Sequence, residues 1–479
     1  MNQSVPMIKT ILRTLLSALL ASWTWSASAA IRLPSILGSH MVLQEKSDAR
    51  FWGWANPAEK VRIMTDWDAT IHEAVADSGG RWSVEVKTPG AGGPYKVILN
   101  GSNVIVLEDV MVGEVWVCSG QSNMEWSGDQ SVPQALEEAP HANNPKIRFF
   151  YIPKSTSDHP QDNCAGSWKV CTPEEMIHFS AIGYFFGKEL QTELKVPVGL
   201  ISSNWGGTPA EVWAPQEVVQ NDSELVAAAG KLQSFAWWPK DPGQCYNAMI
   251  HPITPFAIAG AIWYQGESNT GTAASYEKLF TRMIGAWRQA WGRELPFYYV
   301  QIAPFAYGQP FVGALLREAQ TRSASCANTG MVVVSDLVDD TKNIHPPNKR
   351  DVAKRLANWA LSETYGHKGI LYRSPVYRSM EVQGSRIRIR FDYVDQGLQA
   401  RNGEPTEFQI AGADRKFVPA RATIDGDEVS VWNVDISEPV AVRFGFSNTA
   451  MPNLFSGAGL PVNLFRTDLW PVDTRSDSK

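Results

Sequence analysis

The chain has 479 residues, and its 43 Lys and Arg residues stand against 49 Asp and Glu residues, which leaves a formal net charge of −6. Hydrophobic residues make up 44% of the chain and charged residues 19%, a composition that excludes wholesale disorder, a collagen-like repeat and a coiled-coil rod. The charge balance offers no basic surface to nucleic acid or anionic lipid, so we expect neither as a partner. At roughly 100–200 residues per domain, the length predicts two to four domains.

The first 29 residues read as a secretory signal. Lys9 and Arg13 supply a positive start, residues 14–25 are mostly apolar, and the string ASA at residues 27–29 fits a small-residue cleavage site. A membrane span needs about 20 apolar residues, so this run is too short to be an anchor. We therefore expect a secreted or periplasmic product with no membrane association after cleavage.

Short β-favouring runs separated by turn signals follow at residues 30–107 and return at residues 366–479. The turns include GG at residues 79–80 and DG at residues 425–426. These two regions are predicted to form β-sandwich-like modules. The predicted strands lie at residues 51–54, 61–64, 82–86, 95–99, 386–391 and 428–432.

Between them, residues 108–365 alternate buried-strand patterns with helical patterns. Tyr276, Phe280, Met283 and Trp287 recur at helical spacing within residues 275–291. The alternation predicts an α/β domain with a mainly parallel sheet, helices on both faces and a ligand crevice at the carboxyl ends of the strands. Predicted strands are at residues 115–118, 198–202, 259–264, 297–302 and 331–335, and a second predicted helix is at residues 351–365.

The chain contains five cysteines. In an oxidising compartment, Cys164 and Cys171 are close enough along the chain for a local disulfide. Cys and His spacing matches no zinc site, and calcium loops and phosphate-binding glycine loops are absent from the sequence. We therefore expect no metal and no other cofactor.

Two of the predicted strands are followed by candidate catalytic groups. The string GQSNM at residues 120–124 places Ser122 where its hydroxyl projects from the edge of the sheet, although a capping serine in a turn has the same appearance. The string NWGGT at residues 204–208 carries Gly206 and Gly207, whose backbone amides can approach a ligand closely, as can those of an ordinary loop.

Two later strings supply further groups of the same kind. WYQGESN at residues 263–269 contains the amides of Gln265 and Asn269 as donors for an oxyanion, with Glu267 as a group that orients them. IHPP at residues 344–347 contains His345, a general base for Ser122. Each signal alone fits a turn or a cap, but together they lie at the carboxyl ends of one predicted sheet, as in a serine hydrolase.

With these strings in order, the chain resembles the sialate O-acetylesterase family of the SGNH-hydrolase superfamily. The resemblance covers nearly the whole chain after residue 29. It includes MVLQ at residues 41–44, GEVW at 113–116, LREAQ at 316–320 and GLP at 459–461, beside the strings already given. It implies an SGNH-type, flavodoxin-like sheet and hydrolysis of O-acetyl esters on carbohydrate, the expected partner.

The resemblance also implies the roles of individual residues. Ser122 would be the nucleophile and His345 the base. The oxyanion would be held by the Ser122 N–H, a glycine amide and a side-chain amide, of which Gln265 is preferred to Asn269 because it directly follows a strand. The glycine amide would come from Gly206 or Gly207. Substrate binding is assigned to Gln121, Asn123, Trp205 and Glu267.

The chain departs from the superfamily at the third catalytic group. Many SGNH enzymes carry an aspartate three residues before the histidine, where this chain has Lys342. Asp339 and Asp340 are preferred to Asp336 as the orienting acid, because a short loop would fold either one back toward the imidazole. A backbone carbonyl near Lys342 is the alternative.

The sequence is compatible with two substrate classes and with one non-catalytic alternative. Relatives of this architecture act on acetylated sialic acids or on acetylated plant polysaccharides such as xylan and xyloglucan. A carbohydrate-binding relative that has lost catalysis is the competing class, and the intact pair of Ser122 and His345 argues against it. The polar surroundings of Ser122 disfavour a lipase or thioesterase. The sequence makes no prediction of the oligomeric state.

Overall fold

The N-terminal module consists of two packed layers of antiparallel strands, except that β1 pairs in parallel with the long strand that follows the module. A computed structural model describes residues 30–475, so the predicted signal segment lies outside the described residues. β2 pairs with β5, and β3 pairs with β4 and β6, while Phe51 and Val61 are buried in a shared core. The strands are β1 (Val42–Gln44), β2 (Asp48–Trp54), β3 (Lys60–Thr65), β4 (Asp68–Val75), β5 (Arg81–Lys87) and β6 (Gly92–Asn100).

A single long strand, β7 (Val104–Gly120), joins this module to the next. Near its start β7 pairs antiparallel with β6, for example Ile105 with Leu99, and near its end it pairs with strands of the central sheet. The predicted boundary after residue 107 therefore falls inside a strand. The two modules share β7 rather than being joined by a flexible linker.

The central sheet has the order β13-β12-β11-β7-β10-β8-β9, and all its pairings are parallel except that of β9 at the edge. The prediction of an α/β fold with a mainly parallel sheet is confirmed. Its further strands are β8 (Asn144–Tyr151), β9 (Trp168–Cys171), β10 (Val198–Asn204), β11 (Gly260–Tyr264), β12 (Phe297–Val300) and β13 (Thr329–Val332). Its helices are α1 (Ser122–Glu125), α2 (Pro133–Glu138), α3 (Pro173–Met176), α4 (Ala181–Leu194), α5 (Gln216–Gln220), α6 (Ser223–Ala229), α7 (Ala273–Trp291), α8 (Val312–Ser323) and α9 (Arg350–Trp359).

Both faces of this sheet are covered by helices. Successive residues of a strand point to opposite faces, so Trp263 of β11 packs with α7 while its neighbour Ile262 lies in the core with α4 and α9. On the first face, Phe280 of α7 stacks on Trp263, and Trp287 of the same helix contacts Trp263 edge-on. The near-continuous burial of β10 and β11 explains why their sequences are apolar runs rather than alternating patterns.

The strand register brings three of the predicted motifs into one row. Gly120, the last residue of β7, is paired with Asn204 of β10 on one side and with Tyr264 of β11 on the other. The strings that follow these three residues contain Ser122, Gly206 and Gln265. The expected meeting of these loops at the carboxyl edge of the sheet is confirmed, at the point where the strand order reverses across β7.

The C-terminal module is built from antiparallel strands, as the sequence predicts. Two four-stranded sheets, in the orders β14-β15-β20-β19 and β18-β17-β21-β23, share a core that includes Ile387 and Phe444, and β16 pairs with β22. Arg466 reaches α8 through both carboxylate oxygens of Glu318, at 2.7 and 3.0 Å. The strands are β14 (Val376–Gln383), β15 (Arg386–Asp392), β16 (Leu398–Ala400), β17 (Phe408–Ala411), β18 (Val418–Pro419), β19 (Arg421–Asp425), β20 (Glu428–Trp432), β21 (Ala441–Phe444), β22 (Leu454–Ser456) and β23 (Phe465–Arg466).

Cys164 and Cys171, whose spacing is compatible with a local disulfide, are not bonded to each other. All five cysteines are free thiols. Cys164 is buried in the core on one face of the central sheet, whereas Cys171 ends β9 and belongs to the core on the other face. The thiols are therefore separated by the sheet despite their short spacing in sequence.

None of the helices within residues 30–475 is both long enough and apolar enough to cross a membrane.

Candidate active site

Ser122 begins α1, directly after β7. The Gln121 N–H donates to the carbonyl of Tyr264 at 2.9 Å, which ties the turn to the neighbouring strand β11. Ser122 Oγ lies 2.8 Å from His345 Nε2, although the two residues are 223 positions apart in the sequence. This distance allows the hydroxyl to donate its proton to the imidazole. The fold thus brings together the two groups that the sequence assigns to catalysis.

His345 is held by stacking and by its own backbone. Its ring lies on the indole of Trp126, with ring centroids 3.8 Å apart and an interplanar angle of 26°. The backbone N–H of His345 donates to Oδ1 of Asn343 at 2.9 Å. Partial burial, assisted by the positive charge of Lys349, lowers the pKa of His345 to about 4. The imidazole is therefore neutral at neutral pH, the form in which it accepts a proton.

The predicted orienting acid is not found at His345. Instead, Asp339 Oδ1 accepts the backbone N–H of Asp340 at 3.0 Å, and Asp340 Oδ1 accepts the backbone N–H of Lys342 at 2.8 Å. Asp336 forms a bidentate pair with Arg355 at 2.8 and 2.7 Å. Within residues 30–475, neither a carboxylate nor a backbone carbonyl accepts a hydrogen bond from His345 Nδ1. Asp339 and Asp340 are thus bonded within their own loop and Asp336 is bonded to Arg355, which leaves a Ser122–His345 dyad.

A buried polar network lies beneath the dyad. The side-chain amide of Asn123 donates to Glu267 Oε1 at 2.7 Å and to the carbonyl of Ile344 at 3.0 Å, while its Oδ1 accepts from Lys349 Nζ at 2.6 Å. Asn123 is 0% exposed, Lys349 1% and Glu267 7%. Because Asn123 is enclosed in this way, its expected contact with substrate is wrong. Its amide instead fixes the carbonyl that immediately precedes His345.

Burial sets the charges of this network. It lowers the pKa of Lys349 to about 7, against the opposing attraction of the Glu267 carboxylate. Burial also raises the pKa of Glu267. A backbone hydrogen bond, the hydrogen bond from Asn123 and the charge of Lys349 oppose this rise. The Asn123 amide bridges the Lys349 and Glu267 side chains, which gives both buried polar groups a hydrogen-bond partner. Sequence reasoning gave Lys349 no role.

The assignment of Gln265 and Asn269 to the oxyanion is contradicted by their hydrogen bonds. Gln265 Nε2 donates to Asn269 Oδ1 at 2.7 Å and to the carbonyl of Thr208 at 3.2 Å. Asn269 Nδ2 donates to Glu211 Oε2 at 2.8 Å and to Thr272 Oγ1 at 3.3 Å. Both side chains are 0% exposed, and all their amide hydrogens are in use. They join the loops after β10 and β11.

The glycine turn lies directly against the nucleophile. A Cβ atom on Gly206 would come within 3.2 Å of Ser122 Cβ. The Gly206 N–H, however, donates to a carboxylate oxygen of Glu125, whose other oxygen pairs with Lys154 Nζ at 2.5 Å. Gly206 is therefore not a free donor, and the expectation that it holds the oxyanion is corrected. The sequence gave no sign of Glu125, which follows Ser122 by one helical turn.

Three donors beside Ser122 have no partner among the described residues. They are the backbone N–H groups of Ser122 and Gly207 and the Nε2 group of Gln121, whose Oε1 accepts from the Gly266 N–H at 3.2 Å. Gly207 adopts φ +84°, a conformation that favours glycine. Unlike the donors of Gly206, Gln265 and Asn269, these groups are free to bond to a developing oxyanion.

Trp205 stands at the outer side of the glycine turn. Its indole Nε1 donates to the carbonyl of Trp237 at 3.1 Å, and Lys154 Nζ lies 6.0 Å from its ring centroid. It is half-buried. Its expected contact with substrate stays a prediction, as does that of Gln121.

Within the described part of the chain, no group of three or more His, Cys, Asp or Glu side chains is arranged to hold a metal ion. The expectation of no metal and no cofactor stays a prediction from the sequence.

Comparison with known proteins identifies relatives across most of the chain. The family described as carbohydrate esterase, sialic acid-specific acetylesterase matches residues 112–362. The sialate O-acetylesterase of Mus musculus is 28% identical over 88% of this chain and 90% of that protein, and the human enzyme is 27% identical over 89% of each. The crystal structure of a carbohydrate acetylesterase from Xanthomonas citri is 38% identical, with a TM-score of 0.84 over 92% of this chain and 100% of that chain.

Proposed function

The chain belongs to the sialic acid-specific acetylesterase family of carbohydrate esterases, and we propose that Ser122 and His345 carry out its ester hydrolysis. It is a carboxylic ester hydrolase that acts on acetylated carbohydrate. The observation that carries the residue assignment is the 2.8 Å separation of Ser122 Oγ and His345 Nε2. The enclosed network around Lys349 and Asn123 supports it by holding the histidine loop.

In the first half of the reaction, Ser122 Oγ attacks the carbonyl carbon of the acetyl group while His345 Nε2 takes the hydroxyl proton. The carbonyl oxygen becomes negative and is stabilised by the N–H groups of Ser122 and Gly207 and by the amide of Gln121. When the intermediate collapses, His345 returns the proton to the sugar oxygen, the ester bond breaks, and the acetyl group remains on Ser122.

In the second half, a water molecule replaces the sugar hydroxyl. His345 removes a proton from the water, which attacks the acetyl carbonyl, and the proton is then given to Ser122 Oγ as acetate leaves. The positive imidazolium forms transiently on the indole face of Trp126, an arrangement that stabilises a cation. The dyad therefore needs no third ionised side chain to complete the proton transfers.

For the identity of the acetylated sugar we propose two alternatives. The curated relatives are sialate O-acetylesterases, which supports acetylated sialic acid, whereas acetylated plant polysaccharides such as xylan or xyloglucan are the other branch. Acetate release from an acetylated sialic acid, an acetylated xylan and an acetylated xyloglucan, measured side by side, distinguishes them. No release from any of the three, nor from a simple aryl acetate, would favour a carbohydrate-binding protein without catalysis.

Export from the cytoplasm is also part of the proposal. It is supported by the sequence of residues 1–29, with its positive start, apolar run and cleavage string. Mass determination of the product purified from culture medium or periplasm would test it, because the expected mature chain begins at Ala30.

A further inference from the structure

A groove of about 340 Å³ lies beside the glycine turn of the active site. Its lining includes Gly207, Glu267 and Ser268, which belong to the turns around the dyad. Ser268 Oγ donates to the carbonyl of Gly207 at 2.8 Å. Ser122 and His345 do not line the groove, which adjoins their site at Gly207. Its volume is at the small end of the roughly 300–1,000 Å³ typical of small-molecule sites.

Two aromatic side chains, Phe235 and Trp238, line one corner of this groove, and Trp237 packs against both of them. Trp238 packs so closely on Gly207 that a Cβ atom there would lie 2.2 Å from the indole. Its ring centroid is 4.3 Å from that of Phe235 and 5.4 Å from that of Trp237. Trp237 is 65% exposed, an unusual position for so large an apolar side chain. We call Phe235, Trp237 and Trp238 the aromatic corner.

Apart from Pro209, Leu232 and two glycines, the remaining lining of the groove is polar. It comes from side chains that carry hydroxyl, amide or ammonium groups: Lys231, Gln233, Ser268, Thr270 and Gln309. A pyranose ring has an apolar face of C–H groups and a rim of hydroxyls, so it matches an aromatic surface bordered by polar groups. A long acyl chain would require a continuous apolar lining, which this groove does not have.

We propose that the aromatic corner binds the sugar ring that adjoins the acetylated sugar, so that the preferred substrate is an acetylated oligosaccharide or polysaccharide rather than a free monosaccharide. The inference rests on the proposed function, because it takes Ser122 as the point of attack. The two sites are close together: a Cβ atom on Gly206 would come within 3.2 Å of Ser122 Cβ, and one on the next residue, Gly207, within 2.2 Å of the Trp238 indole. A glycan that presents an acetyl group to Ser122 therefore has its neighbouring ring within reach of the aromatic corner.

The first test compares hydrolysis of substrates with and without a neighbouring ring. For Trp237→Ala and Phe235→Ala, kcat/KM on acetylated xylo-oligosaccharide, xyloglucan oligosaccharide and acetylated sialyllactose is compared with kcat/KM on p-nitrophenyl acetate. For at least one oligosaccharide we expect a loss at least tenfold larger than the loss on the aryl ester, mainly in KM. Equal losses on all substrates would overturn the proposal. Tyr393→Ala, which removes a 44% exposed aromatic ring from the C-terminal module, is the matched control.

The second test does not depend on turnover. Ser122→Ala is titrated with the unacetylated forms of the same oligosaccharides and with their monosaccharides, using calorimetry. We expect one oligosaccharide to bind at least tenfold more tightly than its monosaccharide, and Trp237→Ala in the same background to remove that difference. Equal affinity for oligosaccharide and monosaccharide would contradict the aromatic corner as a sugar site. Failure of the proposed function would appear separately, as a wild-type protein inactive on p-nitrophenyl acetate.

Discussion

Lys349 Nζ lies 2.6 Å from Asn123 Oδ1 in the interior of the protein, and Asn123 is the residue that follows the nucleophile Ser122 in the sequence. The same Asn123 amide donates to the carbonyl of Ile344, which immediately precedes His345. Lys349, which immediately precedes α9, is thus connected through Asn123 to both catalytic residues, and its ammonium bonds to neither of them. We regard Lys349 and Asn123 as positioning residues.

Replacement of Lys349 by Met should lower kcat by about 10–100-fold, because small displacements of catalytic groups are costly. It should also move the acidic limb of the pH profile to higher pH, since the charge of Lys349 contributes to the low pKa of His345. Steady-state rates across pH on an aryl acetate measure both effects. K342M, which removes an exposed lysine from the same loop, is the control and should behave as wild type. An unchanged limb and an unchanged kcat in K349M would contradict the positioning role.

The pH dependence of the wild-type enzyme follows from the environment of His345. An imidazole in water has a pKa near 6.5, but here burial and Lys349 lower the pKa to about 4. Only the neutral imidazole accepts the serine proton, so kcat/KM should fall as the pH drops through about 4 and should change little between pH 5.5 and 6.5. A half-maximal rate near pH 6.5 would indicate that His345 is more hydrated than the structure shows.

Gln265→Ala should affect stability more than chemistry. Its amide joins Thr208, Asn269 and Tyr276 in the interior, and unpaired buried polar groups cost about 1–3 kcal/mol. We expect a lower midpoint in urea unfolding and a kcat within about tenfold of wild type. Gln121→Ala is the comparison, because loss of an oxyanion donor typically costs 10²–10³ in kcat. A loss of that size in Gln265→Ala, without destabilisation, would return the oxyanion role to Gln265.

Neither Asp339→Asn nor Asp340→Asn should reduce kcat by more than about tenfold. Each asparagine retains an oxygen for the backbone N–H that the aspartate accepts, and neither carboxylate meets the imidazole. In enzymes where an aspartate orients the histidine, replacement of that aspartate by asparagine lowers kcat by about 10⁴-fold. A loss of that order in either variant would show that the loop rearranges to form a triad.

The parts of the site that follow strands were predictable from the sequence. Ser122, Gly206 and Gln265 come directly after buried strands, and parallel strands end at a common edge, so their proximity follows from the fold class. The histidine loop after β13 is placed by the same rule. His345 then reaches Ser122 across 223 residues because both loops lie at that edge.

The partners of these side chains were not predictable in the same way. The side-chain amide of Gln265 is hydrogen-bonded to Asn269, one helical turn later, and to Tyr276 of α7. No local sequence pattern distinguishes an amide that bonds within the protein interior from one that bonds to substrate. Lys349 has no local sign of burial in the sequence, yet it is buried, and its Nζ donates to Asn123 near the Glu267 carboxylate.

The most direct test of the dyad is the kcat/KM of Ser122→Ala for hydrolysis of p-nitrophenyl acetate, with circular dichroism to verify the fold. Loss of a serine nucleophile removes the covalent pathway, so we expect a fall of at least about 10³ with an unchanged unfolding transition. Incubation of the wild-type enzyme with the ester at low pH, followed by mass spectrometry, should detect an acetyl group on Ser122. A variant that keeps more than about a tenth of the wild-type rate would contradict the assignment of Ser122 as nucleophile.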